Sequence, residues 1–131
     1  MSTNDEAIKN AVKDTLPSLA SINAKYYENP DQFIADAKAN PDAVLVEVTV
    51  SSSTNLRIFQ TTDRKAASLA CTIKNRLVQK SSSFAPTMSA TNSNQYPNLV
   101  NKVSLRIEIN QESPYSEAIK TIAEGLKEYF R

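Results

Sequence analysis

Acid–base chemistry in this chain would have to run on Asp, Glu, Lys or Tyr, because the 131-residue sequence holds no His. The clustered acids, Asp5/Glu6 and Glu124/Glu128, fall at spacings that put them on solvated helix surfaces. Cys71 is the single cysteine, so an intramolecular disulfide, a CxxC redox pair and a zinc site built on Cys and His are all excluded. With no His beside it and an apolar pattern around it, Cys71 reads as a core residue rather than a nucleophile. The lone glycine, Gly125, excludes Gly-rich phosphate loops. No catalytic motif remains, and the expectation is a protein that is not an enzyme and needs no cofactor and no metal.

What remains is charge placed unevenly. The formal net charge is only +1, yet residues 1–42 balance at −3, residues 43–110 at +5 and residues 111–131 at −1. The basic middle is also where strand patterns lie. Arg57, Thr61, Thr72, Lys74, Arg76, Ser104 and Arg106 fall at outward positions of three candidate strands, with Phe59 and Glu108 beside them. Such a face suits phosphate contacts and base stacking. An ordinary solvated sheet face carries the same residue types.

The elements that would position these residues follow from periodicity. Residues 5–16 read as a helix with Ile8, Ala11, Val12 and Leu16 on one stripe, Asn4 as its cap and Pro17 at its end. Residues 18–28 suggest a second helix. Asn29-Pro30-Asp31 opens a third, which runs to Asn40 on Phe33, Ile34 and Ala37. Residues 43–50 alternate, with Val44, Val46, Val48 and Val50 opposite Leu45, Glu47 and Thr49; residues 56–62 continue as the second arm of a hairpin. Residues 99–110 form a strand with Val103, Leu105, Ile107 and Ile109 inward, and residues 114–130 an amphipathic helix. Gly125 in the interior of that helix costs about 1 kcal/mol against Ala and marks a close helix contact.

Residues 66–79 fit a helix through Ala66, Leu69, Ala70, Ile73 and Leu77, and fit a strand with Asn75 as the one exception. A hairpin plus one distant strand makes a poor sheet, so a strand over 69–78 is expected as the missing neighbour. Residues 81–98, rich in Ser, Thr and Asn, read as a long loop, either an assembly or binding loop or a flexible linker. The whole is an α+β single domain spanning residues 1–131: helices over 1–42, an antiparallel sheet over 43–110, and a C-terminal helix over 114–131 covering one face. No apolar run is long enough to span a membrane, and the first 15 residues lack the apolar block of a secretory signal.

The order of long loop (SSSFAPTMSATNSNQYPN), alternating strand (LVNKVSLRIEIN), short turn (QESPY) and final helix (SEAIKTIAEGLKEYFR), preceded by DRKAASLACTIKNRLVQK, resembles the coat proteins of small single-stranded RNA bacteriophages, with a divergent N-terminus. The resemblance covers about residues 44–131. It implies a structural coat protein of the virion, assembled in the host cytoplasm, that forms a homodimer and then an icosahedral shell. On this reading genomic single-stranded RNA lies on the sheet face carrying Arg57, Thr61, Thr72, Lys74, Arg76, Ser104 and Arg106. The dimer interface uses Ile119, Ile122 and Leu126 of the last helix, and there is neither a membrane nor a small-molecule substrate. A helix over 66–79 would instead resemble small cytosolic dimerisation modules, such as roadblock-type proteins or proteasome-assembly chaperones.

Overall fold

A computed structural model describes Met1 and residues 6–27, 29–111 and 113–130. The expected cap Asn4 and the acid Asp5 lie outside the described residues. Helix α1 (Glu6–Thr15) buries Ile8 and Val12 and passes into a 3-10 segment, Leu16–Ile22, with Pro17 in its first turn. That short segment replaces the second α-helix expected over 18–28. It stops at Asn23, whose φ of 57° is a left-handed conformation that Asn tolerates. Helix α2 (Pro30–Ala39) starts as its sequence dictates, with the Asn29 side chain accepting from Asp31 N at 2.8 Å and Pro30 at the first position.

Strands β1 (Leu45–Ser51), β2 (Arg57–Gln60), β3 (Thr87–Ala90) and β4 (Ser104–Asn110) form one four-stranded sheet in the order β1-β4-β2-β3. The sheet is mixed: β1/β4 and β2/β3 are parallel, and only β2/β4 is antiparallel. The architecture is thus α+β as expected, but the sheet is not antiparallel throughout. The expected hairpin is also corrected. β1 and β2 do run consecutively in the chain, yet β4 inserts between them.

Residues 69–78 are helical, not a strand. Helix α3 (Arg64–Lys80) is capped by Asp63, whose side chain accepts from Lys65 N at 2.8 Å. Ala66, Leu69, Ala70, Ile73 and Leu77 form one fully buried stripe, and Cys71 is exposed, not in the core. The missing sheet neighbour comes from elsewhere. The expected loop 81–98 contains a 3-10 turn, Ser82–Phe84, that buries Phe84 completely, followed by β3. A helical α3 then becomes the crossover that two parallel neighbours, β2 and β3, require.

The alternation divides the sheet cleanly. Val46, Val48, Ile58, Leu105, Ile107 and Ile109 face one core together with α1, α3 and α4 (Tyr115–Tyr129). Leu45 faces the other way and packs with Phe33 and Ala37 of α2 in a small second cluster. The rest of that second face carries the polar side chains. Helices α3 and α4 meet closely at the one glycine: a Cβ on Gly125 would lie 2.8 Å from Ile73 Cγ1 and 3.1 Å from Ile73 Cα. The close contact expected there is present.

Candidate functional site

The parallel and antiparallel registers bring two rows of side chains across the polar face. Glu47, Arg106 and Phe59 are in register on β1, β4 and β2, and so are Thr49, Glu108 and Arg57. Acid and base therefore alternate both along β4 and across it, as cross-strand pairing favours. Arg106 pairs with Glu47 through its Nη1 and donates from Nε to Glu108 Oε2 at 3.0 Å. Arg57 Nη2 lies 2.6 Å from Glu108 Oε1 and donates to Ser51 Oγ at 3.1 Å. Asn98 donates to Glu47 Oε2 at 3.0 Å.

The segment after β3 folds over half of this array. The Tyr96 ring sits on the Arg106 guanidinium, 4.7 Å from its centroid, and 5.2 Å from the Phe59 ring. The other half stays accessible: the Arg57 side chain is 43 % exposed, whereas that of Glu108 beneath it is 8 % exposed.

Two atoms of the accessible half stand out. Arg57 Nε and Glu108 Oε1 are buried and make no hydrogen bond; Oε1 has the Arg57 charge beside it, but not in hydrogen-bonding geometry. Oε1 is compensated by the Arg57 charge 2.6 Å away, which leaves Arg57 Nε as a buried donor without a partner, an uncommon arrangement because it forfeits its hydration without replacement. A carbonyl oxygen complements that donor, and the Glu108 carboxylate lies beside it on the neighbouring strand.

The sequence-predicted RNA face does not assemble as one surface. Arg57 and Arg106 lie on the polar face, each engaged by glutamates. Ser104 is fully buried, its hydroxyl donating to Asn101 O at 2.8 Å. Thr61 donates to Lys102 O at 2.6 Å and accepts from Ser104 N, pinning the start of β4. Thr72, Lys74 and Arg76 lie on α3, in the helical layer beyond the other side of the sheet. There Arg76 bonds Glu128 at 2.6 Å, which raises its pKa, and also pairs with Glu124 at 3.7 Å. The strand assumption at 69–78 is what had placed these three on the sheet. The expected dimer stripe is likewise occupied: Ile119, Ile122 and Leu126 are buried within this chain's own core.

Sequence patterns alone do not mark Glu47, Glu108 and Tyr96 as site residues. The alternation had placed Glu47 with Thr49 and Glu108 with Arg106, but the registers that join them are non-local. Among the described residues no group of three or more His, Cys, Asp or Glu could hold a metal ion, and no helix is long and apolar enough to cross a membrane.

No family model matches the sequence, and no curated protein matches it. Among solved structures the chain is similar to N-acetylmuramoyl-L-alanine amidase AmiC2 of Nostoc punctiforme, with a TM-score of 0.68 at 14 % identity over 95 % of this chain and 83 % of that one. At that identity the likeness is one of fold. It overturns the coat-protein expectation and the virion localisation that came with it, since the fold is similar to that of a bacterial amidase. The expectation of a non-enzymatic protein falls with them, because it rested on the absence of a motif and the fold is one on which an enzyme is built.

Proposed function

We propose that this chain is an amidase-fold domain that binds and cleaves an amide joining an N-acylated sugar acid to an amino acid or short peptide, held across the Glu47–Arg106–Glu108–Arg57 array. The observation that carries the reading is the unpartnered Arg57 Nε beside the Glu108 carboxylate, on neighbouring strands of the polar face. The fold likeness to an N-acetylmuramoyl-L-alanine amidase supports the choice of ligand class.

The chemistry assigned to each group is simple. Arg57 donates to the amide oxygen and holds the negative charge that develops there as water attacks the carbonyl carbon. Glu108 takes the proton from that water and passes it to the departing nitrogen, so the products are a carboxylic acid and an amine. Glu47 and Arg106 keep Glu108 in position from the covered side, and Phe59 and Tyr96 offer apolar ring surface to the sugar.

The test is a titration of N-acetylmuramoyl-L-alanine into the 15N-labelled protein. Saturable shifts are expected at Thr49, Arg57, Phe59, Arg106 and Glu108. Glu108→Gln keeps the shape but removes the charged acceptor, and should weaken binding about tenfold, the equivalent of one charge-assisted hydrogen bond. Shifts scattered over the surface, or equal affinity for both proteins, would remove the assignment.

A further inference from the structure

A second site lies at the other end of β1, away from the array. The 3-10 segment, α2, the turn into β1 and the last turn of α4 enclose a cavity of about 610 Å³. That volume is in the range of small-molecule sites. Its walls include the Tyr27 and Phe130 rings and Val44, and its charged residues are Asp36, Asp42 and Lys25.

Three observations define what would fit. First, Asp36 is oriented: Tyr27 donates its hydroxyl proton to Asp36 Oδ2 at 2.6 Å, which fixes one oxygen and leaves the other unspent. Among the described residues no cation pairs with Asp36. The Met1 nitrogen, which also lines the cavity, donates to Lys25 O at 2.6 Å instead. Second, the Tyr27 ring beside that carboxylate is held in place by the buried Phe33 ring, 5.6 Å away at 60°. Third, among the described residues Phe130 is one of two large apolar side chains left exposed, at 44 %, and it lines this cavity.

We infer that this cavity binds an organic ammonium ion with an aromatic or branched apolar body, the ammonium on Asp36 and the body against Tyr27, Val44 and Phe130. The charge sign comes from two lining carboxylates, Asp36 and Asp42, against the single Lys25, with the Tyr27 ring beside Asp36. The apolar body matches walls that would otherwise leave Phe130 in water. The site shares no residue with the amide-binding array, so either assignment stands without the other.

The probe is 2-phenylethylammonium, titrated into the full chain and followed by amide chemical shifts, with phenylacetate as the isosteric anion. Saturable shifts at Ala37, Asn40, Val44 and Leu126 are expected for the ammonium ion and not for the anion. Asp36→Asn should weaken the ammonium complex about tenfold, the equivalent of one charge-assisted contact. Val44→Trp keeps Asp36 and fills the cavity, and should abolish binding on its own. If phenylacetate binds as well as the ammonium ion, or if both variants bind like the wild type, the inference is wrong. Absence of any saturable shift in the folded wild type overturns it equally.

Discussion

Tyr27 gives the residue scale its sharpest handle. Its hydroxyl bonds Asp36, and that bond, with lesser contributions from burial and the Asp36 charge, pushes the phenol up to about 12. A raised phenol pKa means the folded state holds its proton more tightly than the unfolded chain. The stability linked to it is therefore complete below the ordinary value of 10.0 and is lost as pH rises toward about 12. In an absorbance titration Tyr27 is expected to ionise near pH 12, and Asp36→Asn should lower that toward the ordinary value of 10.0. If the titration curve of that variant matches the wild type, the Tyr27–Asp36 bond is not formed in solution. Asp63 behaves in the opposite sense: the Lys65 backbone N–H, and then Lys102, hold its carboxyl below the usual value, so its linked stability is present above that value and is lost in acid.

At the scale of elements, α3 is where sequence and structure part. The five apolar residues from Ala66 to Leu77 fitted a helical stripe, and Asn75 broke the strand alternation. The strand expectation came from counting sheet neighbours, and that count was wrong because β3 hid inside a Ser/Thr-rich stretch. Four residues, TMSA, carry almost no β signal, and the strand forms because Phe84 buries itself just before it and β2 offers an edge. The strands β1 and β4 were legible, since long alternation survives any topology. Their parallel pairing was not, because register depends on contacts about 59 residues apart along the chain, as between Glu47 and Arg106. Half of the candidate site was therefore visible as outward Arg57 and Arg106, while the glutamates that complete it were visible only as face assignments.

Gly125 was also legible, as a costly residue in a helix interior, and the reason is the Ile73 backbone pressed against it. Gly125→Ala gains about 1 kcal/mol of helix propensity. It also forces α3 and α4 apart, and overpacking costs roughly 1–3 kcal/mol. We expect a net loss of about 1 kcal/mol, seen as a lower midpoint in urea with an unchanged slope. A variant as stable as the wild type would mean that the two helices are not this close.

For the whole molecule, the C-terminal helix belongs to the chain's own core. Ile122 is fully buried, between the sheet and the neighbouring helices. Ile122→Asp should unfold the protein rather than dissociate it, since an unpaired charge in the core costs several kcal/mol. Circular dichroism at two well-separated concentrations distinguishes these outcomes. Loss of helix at both is expected, whereas a folded variant that changes only its sedimentation would restore the stripe to an interface.

The claim on which the functional account turns is that the polar face of the sheet works on an amide. The most direct measurement is release of L-alanine from N-acetylmuramoyl-L-alanine, followed by mass spectrometry, for the wild type and Glu108→Gln under the same conditions. The account predicts that the wild type yields L-alanine and N-acetylmuramic acid. It also predicts that Glu108→Gln, folded by circular dichroism, is slower by about 10²–10⁴-fold, the usual contribution of a positioned acid–base group. Release by the wild type no faster than in buffer, or equal rates for the two proteins, would contradict it.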